Sequence, residues 1–469
     1  MSFNTNTVAE LAAGIGGTTL DSTNTSKKPY LVFATCPADG HTNPIVRVAA
    51  ELVRRGFEAT FIGGLQFEDI IRATGAHFVG LPPVFTPKIE AERNLLPAGI
   101  PRLLYDVRHV FINKTPEHWM ILKDVLEELR AKDSEREIVL VPETFYMGVN
   151  PLSLGAPLPK GFITKPKVVN LHVVPYVASS IDTAPGGPGL PPDSTESGRA
   201  RNQLLNQMMV AGPWAELIAH QDSIFKELGT TELLETQVPF HHWMLIHDVT
   251  LHMCPPSLEY PRSDKPSHVK FAGCLEPKPV PDNFAYPSWW EDVTRGDRRI
   301  IAVTQGTIAR DYSDLIIPTM QALADRDDFL VVVILGMKEA SLPAGTAIPS
   351  NTRVIDYLTY DVLLPYTSVF VMNAGYGGFL HGVTHGVPLV LAGETEDKPE
   401  IAMRGEWSGV AINLRTGRPH PDKVSAAVER VLADESFKKR VNEVRLENEA
   451  MKVYDIIERE ILTIGDADV

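Results

Sequence analysis

The strongest constraint on this sequence is an order of short apolar, β-rich runs and amphipathic stretches that occurs twice along the chain. In the first half, an apolar run at 30–35 leads into a loop, an amphipathic stretch at 44–55 and another apolar run at 58–62. The second half starts the same order again, with apolar runs at 300–304 and 329–335. Because a helix between two strands returns the chain to the same end of the sheet, such strands pair in parallel. The sequence therefore predicts an α/β fold with two doubly wound parallel sheets.

Other strand-like runs and helical stretches complete each half. We predict further strands at 137–141, 167–171, 243–247 and 269–272, and then at 352–355, 369–372, 388–391 and 410–413. We predict helices that start at Asp311 and that span 377–385, 398–407 and 422–432.

Segments without such runs mark the boundaries. The first 28 residues are rich in Ser, Thr, Asn and Gly, which indicates a disordered tail at 1–28. Four prolines between 276 and 287 disfavour a regular element, so we predict a linker at 276–296. This leaves an N-terminal domain at 29–275, a C-terminal domain at 297–448 and a C-terminal helix at 449–469. Ligands of doubly wound sheets bind beyond the carboxyl ends of the strands, so the loops that follow the strands are the place to search.

The balance of charge narrows the range of partners. Lys and Arg number 44 against 59 Asp and Glu, and the formal net charge of −15 repels phosphate backbones and anionic lipid. We therefore expect no nucleic-acid and no membrane partner. The sequence also contains no run of about 18 apolar residues, the length that a helix needs to span a bilayer. The three cysteines are far apart and form no CxxC pair, which is typical of a reducing compartment. We predict a cytoplasmic protein that is a monomer or a weak dimer.

A histidine and a glutamate follow two of the predicted strands. His41 lies in the loop after the first strand, where Asn43 suits a helix N-cap and Pro44 suits the first helical position. The positive end of a helix dipole disfavours an imidazolium, so His41 is expected to be neutral, as a general base must be. Glu143 follows the strand at 137–141 and can reach the same sheet edge, where a carboxylate would orient the imidazole. The alternatives are a histidine that only caps its loop and a solvated glutamate.

Two loops of small residues in the second half suit an anionic ligand. Gly306 and Thr307 follow the strand at 300–304. The loop after the strand at 369–372 contains Asn373, Gly375, Tyr376, Gly377 and Gly378. Glycines let the backbone approach a phosphate, and a helix N-terminus offers unpaired N–H groups. The second loop matches neither GxGxxG nor a Walker loop, so the loops together predict a phosphate-bearing ligand without naming it.

Acidic and histidine motifs elsewhere do not predict a metal site. Asp325 and Asp327 precede a strand and so lie at the wrong edge of the sheet. His381 and His385 share a helix face, but Gly382 follows His381 where a zinc protease motif has its glutamate. We therefore expect no bound metal and no other cofactor.

Together these residues resemble the family 1 inverting glycosyltransferases of the GT-B fold, in particular the antibiotic and natural-product branch of bacteria and fungi. The resemblance covers about 29–460 and rests on segments 40–44, 179–185, 189–192 and 373–413. Its most specific part is 385–390 followed by 394–399, which looks like the donor signature of the family. It implies two Rossmann-like domains that face each other across a cleft. The N-terminal domain would bind the acceptor, the C-terminal domain the nucleotide sugar, and the C-terminal helix would return to the N-terminal domain.

Position by position, the resemblance also implies roles for single residues. His41 would deprotonate an acceptor hydroxyl, and Glu143 stands where the family has its orienting aspartate. Asp397 would hydrogen-bond sugar hydroxyls, and Tyr357 replaces the tryptophan that stacks on the donor base. The donor-binding set departs from the family at five further positions. Asn373 replaces a histidine that contacts pyrophosphate, Gly377 and Gly378 replace an Asn-Ser pair, His381 replaces a ribose-binding glutamate, and Lys398 replaces a glutamine. The set also includes Glu396.

The function that follows is the transfer of a hexose, with glucose favoured, from a UDP-sugar to a hydroxyl of an apolar small molecule such as a phenol or a polyketide. The UDP-sugar is then a co-substrate and not a cofactor. Phe145, Tyr146, Met147 and the segment 82–120 are candidates for the acceptor pocket, or else they are ordinary packing residues. Two alternatives stay open: a non-catalytic nucleotide-sugar-binding helper protein of the same fold, and a nucleotide-sugar epimerase.

Overall fold

The structure of the protein is a computed structural model that describes residues 27–464 apart from Ala98, Leu233 and Ile308. Nearly all of the predicted tail at 1–28 lies outside the described residues. Lys28, at the end of that segment, is described, and its ammonium donates to the Glu458 carboxylate at 2.8 Å.

The described strands of the N-terminal half form one parallel sheet of seven. They are β1 (Tyr30–Ala34), β2 (Ala59–Gly64), β3 (His77–Leu81), β4 (Ile138–Pro142), β5 (Lys167–His172), β6 (Val249–His252) and β7 (Val269–Phe271), in the spatial order β3-β2-β1-β4-β5-β6-β7. The helices that accompany them are α1 (Asp39–Arg54), α2 (Glu68–Arg72), α3 (Pro87–Asn94), α4 (Ile100–Asp106), α5 (Thr115–Lys132), α6 (Asn150–Ser153), α7 (Glu196–Ala211), α8 (Ala215–Glu227) and α9 (Pro239–Leu245).

The described strands of the C-terminal half form a second parallel sheet, of six. They are β8 (Arg299–Thr304), β9 (Phe329–Ile334), β10 (Thr352–Ile355), β11 (Thr367–Met372), β12 (Leu389–Leu391) and β13 (Ala411–Asn413), in the order β10-β9-β8-β11-β12-β13. The remaining helices are α10 (Trp290–Thr294), α11 (Ile316–Ala322), α12 (Tyr360–Leu363), α13 (Tyr376–Thr384), α14 (Lys398–Trp407), α15 (Pro421–Ala433), α16 (Glu435–Met451) and α17 (Val453–Thr463). Two doubly wound parallel sheets confirm the predicted fold class.

One predicted strand of the N-terminal half is wrong, and another strand was not predicted. The run at 243–247 is not a strand: Pro239 starts α9, and the strand β6 begins only at Val249. A short apolar run cannot be assigned to strand or helix by periodicity alone, whereas a proline at the first helical position favours a helix. The edge strand β3 was not predicted, because its sequence includes His77 and Gly80 and alternates only weakly.

The start of the helix after β1 also differs from the prediction. α1 begins at Asp39, so Asn43 is not its N-cap, and Pro44 lies inside the helix. A proline there removes one backbone hydrogen bond to the carbonyl four residues earlier. That carbonyl belongs to Gly40, which is exposed and can be solvated. In the C-terminal half, the helix predicted from Asp311 starts at Ile316.

Each sheet is buried on both faces, as β1 illustrates. Leu31 and Phe33 belong to one apolar cluster, and Val32 and Ala34 belong to another on the opposite face. Since alternate residues of a strand point to opposite faces, a strand covered on both sides must be apolar at every position. This is why continuous apolar runs in the sequence predicted the central strands correctly.

The chain links the two halves at two places. In the predicted linker, Trp289 and Trp290 pack against the core of the second sheet. After Lys452, whose φ of 55° breaks the helix between α16 and α17, the chain returns to the first half. There Val453 and Ile457 are buried in the same cluster as Leu31 of β1. Between residues 27 and 464, as far as they are described, no helix is both long enough and apolar enough to cross a membrane.

Candidate functional site

His41 and Glu143 come together at the carboxyl end of the first sheet. His41 lies in the first turn of α1, directly after β1, and Glu143 directly follows β4, the neighbour of β1. The Nδ1 atom of His41 is 2.9 Å from Oε1 of Glu143. The Glu143 side chain is fully buried and the His41 side chain is 19% exposed. The arrangement presents the second ring nitrogen of His41, Nε2, as the atom available to a ligand.

The protonation of His41 differs from the sequence-based expectation. Burial alone would lower the pKa of His41, but the adjacent Glu143 carboxylate outweighs it, with Asp397 adding a smaller effect, and the pKa is raised above its ordinary value. The expectation of a pKa lowered by the helix dipole is therefore wrong in direction. A carboxylate at hydrogen-bond distance stabilises the imidazolium more than a partial charge at a helix end destabilises it. The pair can therefore hold a proton that His41 takes up.

Aromatic side chains form a wall beside His41. The ring centroid of Phe145 is 5.0 Å from that of His41, and the ring of Phe111 is 6.5 Å away. Trp243 packs against both phenyl rings, at 5.6 and 5.9 Å. Such a surface favours an apolar molecule next to the imidazole. Phe111 lies within the predicted segment 82–120, whereas Trp243 is fully buried and only supports the two phenyl rings.

The other two candidate acceptor residues are core residues. Tyr146 is 1% exposed, stacks on His118 and donates its hydroxyl to the His118 carbonyl oxygen. Met147 is also 1% exposed and belongs to the apolar cluster behind the Phe145 ring. Only Phe145 of the predicted three faces His41.

The loop after β8 is held in place by Gln305. The Gln305 side chain accepts from the backbone N–H groups of Leu315 and Ile316 and donates to the Asp311 carbonyl. Gly306 follows with a φ of 71°, a conformation that favours glycine, and Thr307 is exposed. The loop therefore presents backbone and a hydroxyl at the sheet edge, as predicted for an anion site.

Asn373 joins this loop to the one after β11. Its Nδ2 donates to the Gln305 carbonyl, and its buried Oδ1 has no hydrogen-bond partner among the described residues. Ala374 has a φ of 60° although it is not glycine, and Gly375 follows as the N-cap of α13. Strained backbone of this kind clusters at functional sites.

The remaining residues of the glycine-rich loop divide into open and packed positions. A methyl group on Gly377 would meet no described atom within 4 Å, so a ligand can approach there. A methyl on Gly378 would come within 2.8 Å of the end of the Met372 side chain, which would have to move aside. Tyr376 is buried and its hydroxyl is 3.5 Å from the His252 ring, which directs it away from the loop surface.

The loop after β12 faces His41 across the two domains. Glu396 is 3.5 Å from Arg93 of α3 in the N-terminal half, and it has a φ of 51°. Asp397 is half-buried, and burial raises its pKa, an effect that Lys398 opposes and Glu396 reinforces. The Lys398 ammonium pairs with Glu396 and donates to Thr395 at 3.1 Å. Asp397, the candidate sugar-binding residue, lies close enough to His41 to raise the pKa of that imidazole.

Tyr357 and His381 both lie in the C-terminal half. Tyr357, at the end of β10, is 45% exposed, so its ring is available for stacking. His381 lies on α13 with its ring edge against Tyr360, 5.4 Å between centroids. His381 is also 3.5 Å from Asp361, a residue that the sequence pattern did not single out.

A separate cavity of about 600 Å³ lies between α7, α9 and the segment around Arg262. Its lining is mixed and includes Ser179, Gln207, His241, Arg262 and Asp264. None of the residues predicted for donor or acceptor binding belongs to the described lining of this cavity.

Curated proteins resemble the chain over nearly its whole length. It is 45% identical to "UDP-glucosyltransferase 1" of Beauveria bassiana (strain ARSEF 2860) over 435 residues, 92% of this chain and 94% of that protein. It is 34% identical to "4'-demethylrebeccamycin synthase" of Lentzea aerocolonigenes, over 89% of this chain and 95% of that protein. Residues 318–458 match the family described as "Erythromycin biosynthesis protein CIII-like, C-terminal domain".

Solved structures share the fold at low sequence identity. The glycotransferase of kitacinnamycin superposes with a TM-score of 0.67 at 18% identity, covering 93% of this chain and 100% of that one. CalG4, the calicheamicin glycosyltransferase, gives a TM-score of 0.64 at 18% identity, covering 94% and 99%. With this fold and with relatives that match most of its length, the chain belongs to the family 1 natural-product glycosyltransferases of the GT-B fold.

Proposed function

We propose that this enzyme transfers glucose from UDP-glucose to a hydroxyl group of an apolar small molecule, with inversion at the anomeric carbon. The observation that carries the proposal is the buried contact of 2.9 Å between His41 and Glu143, with Asp397 facing the pair. Relatives named UDP-glucosyltransferases, at 45% and 36% identity, support the choice of donor.

The proposed reaction is a single displacement. The Glu143 carboxylate accepts a hydrogen bond from the Nδ1–H group of neutral His41, which leaves Nε2 with a lone pair for the acceptor hydroxyl. As Nε2 takes the hydroxyl proton, the acceptor oxygen forms a bond to the anomeric carbon and the bond from that carbon to the diphosphate oxygen breaks. The products are the glucoside, UDP and an imidazolium that Glu143 stabilises.

The leaving diphosphate needs positive potential on the C-terminal side. We assign this role to the backbone of Gly306, to the Thr307 hydroxyl and to the N-terminus of α13 at Gly375, where N–H groups and the helix dipole favour an anion. Asn373 supports both loops, because it bonds one to the other. Asp397 would accept hydrogen bonds from sugar hydroxyls, and Tyr357 would stack on the base. One chain supplies all of these groups, so the reaction needs no second subunit and we expect a monomer or a weak dimer. The three widely spaced cysteines favour a location in the cytoplasm.

The aromatic wall supports an apolar acceptor. Phe111 and Phe145 lie against one side of His41, with the buried Trp243 packed against both, so a phenol or polyketide ring would lie with its hydroxyl near Nε2. A non-catalytic helper protein would have no need of the intact His41–Glu143 pair. An epimerase would convert UDP-glucose without any acceptor, which the following experiment includes as an arm.

The test is His41→Ala assayed with UDP-glucose and a panel of phenols, with product detected as a hexose mass increment. Loss of a general base typically lowers the rate by about 10²–10⁴. The exposed histidine His77, on the edge strand β3, provides the matched control, and His77→Ala should keep the wild-type rate. Near-normal transfer by His41→Ala, with UDP-glucose binding intact by calorimetry, would refute the proposed base.

A further inference from the structure

Asp361, His381 and His385 form a cluster that the transfer reaction does not use as a unit. Asp361 lies on α12, His381 on α13, and His385 directly follows α13. The Asp361 Oδ1 atom is 3.5 Å from Nδ1 of His381 and 3.4 Å from Nε2 of His385. All three ligand-type atoms lie within 4.8 Å of one another. Two imidazoles and a carboxylate are a ligand set typical of divalent transition metals.

The hydrogen bonding of His385 leaves its Nε2 atom facing the Asp361 carboxylate without a proton on that nitrogen. Its Nδ1 is 2.8 Å from the His381 carbonyl oxygen, which can only accept, so this nitrogen carries the proton. In the neutral ring, Nε2 then presents a lone pair to a carboxylate oxygen. Within the described part of the chain, Oδ1 of Asp361 and Nδ1 of His381 are both buried without a hydrogen-bond partner. Two acceptors that face each other at 3.4 Å repel unless a proton or a metal ion lies between them.

The two distances from Asp361 to the histidine nitrogens fit a four-coordinate ion. Ligand atoms bound to Zn²⁺ at about 2.0–2.1 Å and at tetrahedral angles lie about 3.3 Å from one another. Adjacent ligands of an octahedral ion at about 2.1 Å lie closer, about 3.0 Å. The observed 3.4 and 3.5 Å agree better with the tetrahedral value. We propose that Asp361, His381 and His385 bind one tetrahedral divalent transition-metal ion, such as Zn²⁺, with water as the fourth ligand.

The proposed site lies close to the surface. The His381 side chain is 30% exposed, whereas those of Asp361 and His385 are 10% and 6% exposed, so solvent is nearest on the side of His381, although its Nδ1 atom is itself buried. The backbone N–H of Lys278 donates to the Asp361 carboxylate and orients it. The sequence argument against zinc concerned a protease motif, whose glutamate is replaced by Gly382. The ligand set here takes its carboxylate from a different helix.

A second cluster in the described chain, His252, Cys254 and Glu259, has similar spacing but different electrostatics. Its carboxylate is paired with the Arg404 guanidinium at 2.8 Å, which already neutralises the charge that an ion would need. It also lacks access to solvent, since all three residues are buried. We therefore expect this cluster to bind no metal. If it did bind Co²⁺, the Cys254 thiolate would be a ligand and would give a charge-transfer band.

The test uses the full chain, freed of metal by a chelator and titrated with Co²⁺ in the absence of any sugar donor. Four-coordinate Co²⁺ absorbs strongly in the visible range, and we expect saturation at one ion per chain, with displacement by Zn²⁺. Asp361→Asn and His385→Ala should each weaken binding by at least about tenfold, the smallest loss typical even of residues that only support a ligand. His41→Ala should bind Co²⁺ as the wild type does, so the result is independent of the transfer mechanism.

His420→Ala is the matched control, because His420 forms an exposed pair with Asp422 at 3.2 Å without a second histidine. It should leave Co²⁺ binding unchanged. Circular dichroism of each variant separates lost ligands from lost folding, and Asp361→Asn keeps the shape of the side chain. Three outcomes would overturn the proposal: no saturable visible absorption in the wild type, unchanged binding in both ligand variants, or a Co²⁺–thiolate charge-transfer band that places the ion at Cys254.

Discussion

At the scale of single residues, His41 is subject to two opposing influences. Its place in the first turn of α1 disfavours a positive charge, and burial acts in the same direction. The Glu143 carboxylate, fully buried and 2.9 Å away, acts in the opposite direction and prevails. His41 is therefore a stronger base than an isolated histidine in the same helix would be, but a larger fraction of it is protonated near neutral pH.

A pH profile tests this balance. The reaction requires neutral His41, so kcat/KM should rise with pH through the raised pKa of His41 in the free enzyme. Glu143→Gln removes the negative charge that favours the imidazolium, so the pKa of His41 should fall and the acid limb should move to lower pH. The maximal rate should fall as well, to a value between the wild type and His41→Ala, because the imidazolium formed in the reaction is no longer stabilised.

The control for this profile is Glu137→Gln, an exposed glutamate just before the opposite end of the same strand, β4. Glu137→Gln should change neither the pH of the acid limb nor the maximal rate. An acid limb that stays at the wild-type pH in Glu143→Gln would contradict the assignment of that limb to the His41–Glu143 pair.

The residues of the site differ in how far the sequence could predict them. His41 and Glu143 follow two strands that are adjacent in the usual doubly wound order, so their meeting could be expected from the positions alone. Tyr146 could not be separated from Phe145, because consecutive loop residues point in unrelated directions until the backbone is known. Asp361 lies on a short helix twenty positions before His381 in the printed sequence, and no local pattern relates the two.

At the scale of elements, α14 holds the donor-side loop against the N-terminal half. Arg404 of α14 donates to Glu259 at 2.8 Å and to the Tyr176 carbonyl at 2.9 Å, both in the first half. Glu400, one turn earlier, accepts from the backbone N–H groups of Gly187 and Gly189 at 2.8 and 2.9 Å. Gly189 has a φ of 61°, and a methyl group there would come within 2.6 Å of a backbone oxygen. The close approach of the two halves therefore requires glycine at this position.

Arg404→Met is the test of this contact. Arg404 is 1% exposed and also pairs with Glu400 at 2.8 Å, so its removal leaves two buried carboxylates without their cation. Breaking a buried ion pair from one side costs about 3–5 kcal/mol, and we expect a loss of that size in the free energy of unfolding measured with urea. Arg415→Met breaks the exposed pair with Glu406 and should cost no more than about 1 kcal/mol. Equal losses in the two variants would show that the buried pair does not stabilise the contact between the halves.

The elements themselves were predictable in proportion to their burial. Central strands such as β1 and β9 are apolar at nearly every position, because helices cover both faces, and their segments were predicted within a residue or two. The edge strand β3 contains exposed and half-buried positions and lacks that signal. The segment around Trp243 is apolar because α9 packs an aromatic cluster, so hydrophobicity alone could not distinguish it from a strand. The start of α1 was misplaced because a proline inside a helix is rare.

At the scale of the whole molecule, net charge and ligand charge have the same sign. The chain carries a formal charge of −15, and the proposed donor is an anion. Attraction must then be local, from backbone N–H groups near Gly306 and at the N-terminus of α13, while the long-range field repels the approaching donor. The balance between a local attraction and a long-range repulsion depends on ionic strength, since salt screens the second more than the first.

The association rate of UDP-glucose should therefore rise with salt, the opposite of an enzyme that steers its anionic substrate with a basic surface. Raising the ionic strength from about 0.01 M to about 0.1 M shortens the Debye length from about 30 Å to about 10 Å, which removes most of the repulsion between separated charges. Stopped-flow fluorescence would measure the rate, with uncharged uridine as the control ligand whose rate should not change. A rate for UDP-glucose that falls steeply with salt would show that a positive field guides the donor, and the site would then owe its attraction to charged side chains and not to the backbone dipoles of its loops.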